Sequence, residues 1–204
     1  MAEKAFLGTA LLDISGQNEK TRLIFGTFNP GRQEHKSVLD EMVKMLLQGE
    51  CHSADNPLVM AVRGNDIVAC SLTKEAQPGS LKTAQFLQHG GRAAPLEVLA
   101  GMHRIKAVQR ASKVLNDRLS KLEADLDEAG QDRSEDEEGL PRGQDEEFVA
   151  AIQGNIEVTE QVIGLFKTWP VRFYDIGSFQ PAMASPQVLT AFRYASGPAP
   201  NAPL

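Results

Sequence analysis

Cysteines, aromatic residues and long apolar runs are all scarce in this sequence. Its 204 residues include only Cys51 and Cys70, too few for a disulfide framework, and neither has the neighbours of a zinc ligand. No stretch approaches the roughly 20 consecutive apolar residues of a membrane span. There is no P-loop, no GxGxxG pattern and no Ser/His/Asp grouping. These absences predict an intracellular protein, in the cytoplasm or the nucleus, that does not contact membranes and has no metal site.

The net charge of −6 comes from one segment and not from the whole chain. Residues 123–147 contain 12 of the 27 acidic residues and two of the 21 basic ones, so 19 basic and 15 acidic residues remain elsewhere. The hydrophobic fraction of 42% is ordinary for a folded domain. We therefore expect one domain over 1–177 that can attract an anion, with an acidic linker over 130–147 and a loose tail over 178–204.

The spacing of apolar residues predicts a mixed α/β or α+β domain with helices packed on a small sheet. Strands are expected over 5–14, 21–26, 57–62, 96–99 and 169–176, with GQNEK as the turn between the first two. IVACSL is a further candidate strand, and a short helix is expected around 81–88. Longer helices are expected over 37–48, 102–129 and 148–167, the last two pairing as a projecting hairpin.

The segment LEVLAGMHRIKAVQR, residues 96–110, predicts a strand, a tight glycine turn and the start of a helix. Gly101 lets the backbone turn sharply and approach a ligand. The first N–H groups of a helix lack partners within it and lie at the positive end of its dipole, so a phosphate can bind there. His103 and Arg104 add donors, and Lys106 adds positive charge. The alternative is an ordinary turn followed by a solvated basic helix face.

This arrangement resembles the ParB/sulfiredoxin-like superfamily, in which a strand leads into G-x-[HR]-R-x-x-A. Gly101, His103, Arg104 and Ala107 match that pattern, and Lys106 matches the basic position of ParB-type versions. An Asn-Pro-Gly-Arg segment and an amphipathic helix precede it in the family's order, so the resemblance covers about 20–117 and 168–176. Residues 118–167 are then a helical insertion.

The resemblance implies that the phosphates of ATP or CTP bind at the start of this helix. The residues that it implies for nucleotide binding are Gly101, Met102, His103, Arg104, Lys106, Lys36 and Arg32.

Two departures from the family pattern limit the chemistry. Sulfiredoxins carry a cysteine where this chain has Met102, and a thioether cannot replace the thiolate nucleophile of sulfinic-acid repair. Some relatives have an acid where this chain has Ala100, so a carboxylate at the turn cannot hold Mg²⁺, although Mg²⁺ can still accompany the nucleotide. Glu34, Asp40 and Glu41 are the nearest candidates for a base or a metal ligand.

Three functions fit these observations. The first is a nucleotide-binding domain, with hydrolysis or phosphate transfer left open and no catalytic residue assigned. The second is an inactive scaffold that binds a protein partner through residues 118–167. The third is a regulatory, DNA-associated module, which the acidic hairpin disfavours because it would repel a duplex.

Overall fold

The structure, a computed structural model, contains a five-stranded mixed sheet and four helices among the residues that it describes. These residues are 5–16, 21–26, 34–51, 53–74, 79–88, 94–131 and 142–179, without the side chains at 130, 131, 142–146 and 179. The strands are β1 (Phe6–Asp13), β2 (Thr21–Phe25), β3 (Leu58–Val62), β4 (Ala94–Ala100) and β5 (Thr168–Asp175). The helices are α1 (Lys36–Leu47), α2 (Met102–Gln131), α3 (Arg142–Lys167) and α4 (Ile176–Phe179). The predicted α+β class is confirmed.

Several predictions concern residues outside the described ranges. They are the Asn29-Pro30-Gly31 turn, the predicted ligand Arg32, residues 132–141 of the acidic linker and the tail from residue 180 onward.

The sheet has the strand order β1-β5-β3-β4-β2, which separates β1 and β2 to opposite edges. These two strands are therefore not neighbours, and residues 17–20 of the predicted GQNEK turn lie outside the described ranges. β1 pairs antiparallel with β5, and β2 pairs parallel with β4. No local signal makes β1 and β2 pair with each other, because GQNEK lacks the Asn-Gly or Asp-Gly pair that fixes a tight hairpin turn. Long-range pairing therefore decides where each strand lies.

The main core lies between the helices and one face of the sheet. Alternating strand residues provide one side of it, as in Leu58, Met60 and Val62 of β3, all fully buried. The helices provide the other side with buried apolar side chains, which include Leu39, Leu46, Ile105, Val108, Ala111 and Phe166. The amphipathic helix predicted over 37–48 is thus confirmed as α1, packed on the sheet and on α2.

The two long helices, which lie between β4 and β5 in the chain, pack against each other, as the predicted hairpin requires. α3 begins at Arg142, six residues before the expected start. Its first turns contain glutamine and acidic residues, which favour the positive end of a helix dipole and extend the helix beyond its apolar part. Neither of these helices, nor any other in the described part of the chain, is long and apolar enough to cross a membrane.

The segment between β3 and β4 differs from the expected strand and short helix. IVACSL forms a short 3-10 turn over Ala69–Ser71. No helix forms around 81–88; instead, Leu11 of β1 exchanges backbone hydrogen bonds of 2.8 Å with Lys82 and Ala84. Thr73 pairs with Thr9 in the same way. The segment therefore covers the outer edge of β1, and its backbone groups pair with the sheet in place of forming a helix.

Candidate functional site

The predicted glycine turn lies at one edge of the sheet, where two parallel strands end. β2 and β4 are neighbouring parallel strands, so Phe25 and Ala100 lie at the same edge. α2 begins immediately after Gly101, and the N-terminus of α1 reaches the same place through a contact between His35 and His103. The carboxyl ends of parallel strands are the usual ligand-binding edge of such sheets.

Glycine is needed at position 101 for a structural reason that does not depend on a ligand. Its φ is +98°, a left-handed conformation that side chains rarely adopt. A Cβ at this position would overlap the Leu58 side chain of the neighbouring strand. The Gly101 carbonyl accepts the first helical hydrogen bond, from the Ile105 N–H at 3.0 Å. Close packing against β3 therefore requires glycine at the start of α2.

His103 connects the first turns of the two helices. Its imidazole stacks on that of His35, with 5.9 Å between ring centroids and 22° between planes. Its Nε2 accepts a hydrogen bond from the His35 backbone N–H at 3.1 Å, so that nitrogen is unprotonated in this arrangement. The positive ends of two helix dipoles thus meet at this histidine pair.

Cations replace the acids that usually occupy the first turn of a helix. Neither α1 nor α2 has an acidic residue in its first turn. α1 begins with Lys36, and the first turn of α2 contains Arg104. Because this pattern opposes the helix dipoles, it leaves an excess of positive potential at the junction of the two N-termini.

A carboxylate of the chain lies between two cations at this junction. Glu34 accepts hydrogen bonds from Lys106 Nζ at 2.5 Å and from an Arg110 guanidinium nitrogen at 2.7 Å. The hydrogen bond from Lys106, together with the charges of Lys106 and Arg110, holds the pKa of Glu34 below its usual value. Lys106 also lies 6.0 Å from the Phe25 ring centroid. Glu34 therefore marks a position suited to an anionic oxygen.

Arg104 contacts a different segment from His103. Its guanidinium donates to the backbone carbonyl of Asn56 at 3.2 Å and to the amide oxygen of the same residue at 3.4 Å. The indole N–H of Trp169 donates to the same carbonyl at 2.9 Å. Arg104 thus joins α2 to the turn before β3 and, through Asn56, to β5. The sequence pattern did not indicate this partnership.

The remaining predicted site residues are placed as follows. Met102 is the first residue of α2 and is half-buried, whereas Lys36 is the first residue of α1 and is exposed. Glu34 and His35 complete the junction in the structure. From the sequence, Glu34 was a candidate only for a base or a metal ligand, and His35 had no expected role. Only the tertiary contact between α1 and α2 identifies them.

A groove between α1 and α2 adjoins the junction at Arg110. Its lining includes the apolar Val43, Leu47 and Val114, the cations Lys44, Arg110 and Lys113, and the carboxylate of Asp40. The volume is about 570 Å³, within the range of small-molecule sites. The groove therefore combines an apolar surface with neighbouring positive charge.

No family model, curated protein or solved structure matches this chain. Within the described ranges, no three His, Cys, Asp or Glu residues lie close enough to hold a metal ion. The assignment of function therefore depends on the geometry of the junction and on the resemblance of its sequence pattern.

Proposed function

We propose that this protein binds the phosphate groups of a nucleotide, ATP or CTP, at the junction of the α1 and α2 N-termini. The observation that carries the proposal is Glu34, a carboxylate held by Lys106 and Arg110 at hydrogen-bond distance. A phosphate oxygen has the same charge and acceptor geometry, so it can replace this carboxylate on the two cations. The resemblance of GMHRIKA to ParB/sulfiredoxin-like sequences supplies the choice of ATP or CTP.

Each group at the junction has a role in this proposal. The backbone N–H groups after Gly101 and the first residues of α1 bind phosphate oxygens, with help from Lys36. His103 reaches the ligand after release of its bond to His35. Arg104 is a positioning residue, because its bonds to Asn56 fix the start of α2.

The neighbouring groove fits the rest of a nucleotide. Val43, Leu47 and Val114 provide an apolar surface for a base, and Arg110 lies between that surface and Glu34. A Mg²⁺ ion held mainly by phosphate oxygens and water can accompany the nucleotide.

The test is thermal unfolding of the protein with 5 mM ATP, CTP or tripolyphosphate, with and without Mg²⁺. A tenfold excess over the dissociation constant stabilises by about 1.4 kcal/mol and raises the Tm by about 3–5 °C in a chain of this size. Lys106→Ala should weaken binding by about tenfold, because it removes a charged hydrogen bond. Lys121→Ala, an exposed position on the same helix, is the matched control.

Two outcomes distinguish nucleotide hydrolysis from nucleotide binding alone. Release of inorganic phosphate from a stabilising nucleotide would make the protein an NTP hydrolase, and stabilisation without release would make it a binding domain. Absence of any Tm change with all three ligands would refute the proposal.

A further inference from the structure

α3 has a second apolar stripe that its packing on α2 leaves exposed. The buried stripe is formed by residues at alternating three- and four-residue spacing, which include Ile152, Thr159 and Phe166. One residue earlier along the helix, the same spacing recurs in a stripe that we name the outer stripe. Its members are the exposed Phe148, Ala151, Asn155, Val158 and Leu165 and the half-buried Val162, which also packs against the main core. Helices with two adjacent stripes of this kind are typical of bundles in which each helix contacts two others.

The exposure of the outer stripe is large for such side chains. Phe148 is 58% exposed, Val158 is 59% exposed and Leu165 is 57% exposed. Together they span 18 residues, or about 26 Å of helix from the first to the last. Isolated exposed apolar residues are normal, but several on one helix face at coiled-coil spacing mark a contact surface.

Gly154 is a second, independent feature of this surface. It lies in the interior of α3, where glycine destabilises a helix relative to alanine. A Cβ at Gly154 would meet nothing within 4 Å, so packing among the described residues does not require glycine. It lies beside Ala151 and Asn155, near the middle of the outer stripe. A small residue there lets the backbone of another helix approach closely.

We propose that the outer stripe binds the outer stripe of a second copy of this chain, with the two α3 helices antiparallel. The stripe is complementary to itself in that orientation. Phe148 lies opposite Leu165 of the second copy, Ala151 opposite Val162 and Asn155 opposite Val158, so each layer contains at least one large apolar residue. The two hairpins then form a four-helix bundle with two-fold symmetry.

Charge selects the antiparallel orientation. The acidic residues of 123–131 and 142–147 lie at one end of the helix pair, where α2 ends and α3 begins. Parallel pairing would bring the two acidic segments together, and their repulsion would oppose assembly. Antiparallel pairing keeps them at opposite ends, and each lies beside the partner's more basic body.

Asn155 fixes the alignment of the two helices. In the antiparallel arrangement the two Asn155 side chains occupy the two central layers beside the symmetry axis. Each amide nitrogen donates to the Ala151 carbonyl of its own helix at 2.9 Å, and the amide oxygen and the second N–H can bond to the partner's Asn155. A polar residue in an otherwise apolar stripe reduces stability but disfavours shifted alignments. The contact buries about 1,000 Å² in total, at the low end of specific interfaces, so we expect a micromolar dimer.

Sedimentation velocity of the full chain from 1 to 200 μM tests the pairing. The wild type should change from monomer to dimer across this range. Val158→Glu should raise the dissociation constant at least tenfold, and Asn155→Leu should alter the oligomeric state or strengthen association. Val114→Glu is the control, because Val114 is 50% exposed on α2 and lies outside the stripe. A wild type that stays monomeric throughout, or equal effects of Val158→Glu and Val114→Glu, would overturn the proposal.

Cysteine cross-linking tests the orientation in a Cys51→Ser Cys70→Ser background. A mixture of Phe148→Cys and Leu165→Cys copies should form a disulfide dimer under mild oxidation. Each variant alone should not, since identical positions lie far apart in the antiparallel pair. A disulfide dimer of Phe148→Cys alone would show parallel pairing and contradict the assignment.

Discussion

Gly101 is constrained both by its left-handed φ and by its close contact with Leu58, and substitutions can separate the two effects. Gly101→Ala should lower the free energy of unfolding by about 2–4 kcal/mol, because the left-handed φ and the overlap with Leu58 both oppose a side chain. Gly26→Ala is the control, since Gly26 has a φ of +94° but a Cβ there would meet nothing within 4 Å. It should cost about 1–2 kcal/mol. Urea denaturation measures both; equal losses would show that Leu58 does not constrain Gly101.

Asp175 is a second residue whose environment makes a measurable prediction. Its carboxylate accepts hydrogen bonds from the Ser178 hydroxyl at 2.7 Å and from the Gly64 N–H at 3.0 Å. The Ser178 hydrogen bond, supported by backbone N–H groups, lowers the pKa of Asp175. The folded state therefore holds the charged carboxylate more firmly than the unfolded state does.

The sign of the pH dependence follows from this lowered pKa. The stabilisation is complete above the unfolded pKa of about 4 and disappears as the pH falls through the lower, folded value. Asp175→Asn should cost about 1–2 kcal/mol at pH 7. The difference in unfolding free energy between wild type and variant should shrink below pH 4. A difference that stays constant down to pH 2.5 would show that the charge of Asp175 contributes nothing.

The sequence predicted the residue types of the junction better than their contacts. GMHRIKA identified the glycine turn and the cations of α2, because a local pattern determines a helix start. It predicted that His103 and Arg104 act on one ligand, whereas their side chains contact His35 and Asn56. Both partners come from distant parts of the chain, and no local signal connects them.

At the scale of elements, Arg104 holds the start of α2 against the turn before β3. Arg104→Ala should lower the free energy of unfolding by about 1–3 kcal/mol, because the Asn56 carbonyl loses a charged donor. Arg104→Lys should restore little, since an ammonium cannot reproduce two donors in one plane. Unfolding can be followed by the fluorescence of Trp169, whose indole N–H donates to the same Asn56 carbonyl. Equal stability of wild type and both variants would contradict this role.

The positions of helices and strands could be predicted where the apolar periodicity was strong, but not where the pairing of strands determined them. α1, α2 and β5 follow their apolar spacing closely. β1 and β2 were recognised as strands but not as opposite edges, because strand order depends on contacts across the chain. The segment from 67 to 88 has a strand-like or helix-like composition, yet its backbone pairs with the edge of β1.

At the scale of the whole molecule, charge separates into a basic junction and an acidic hairpin end. The proposed nucleotide site uses the basic junction, and antiparallel pairing keeps the acidic hairpin end of one copy away from that of the other. The two proposals are independent, since Val158 lies on α3 and Lys106 lies near the start of α2. Val158→Glu should therefore weaken dimerisation at least tenfold while leaving the Tm increase with a nucleotide unchanged. Loss of both together would mean that the nucleotide site needs the dimer.

The central claim is that Glu34 occupies the place of a phosphate oxygen, and calorimetric titration with ATP and CTP tests it most directly. Glu34→Gln removes the competing carboxylate, and Glu41→Gln removes an equal charge from an exposed position of α1. We predict that Glu34→Gln binds nucleotide at least three times more tightly than Glu41→Gln does. Equal or weaker binding by Glu34→Gln would contradict the account.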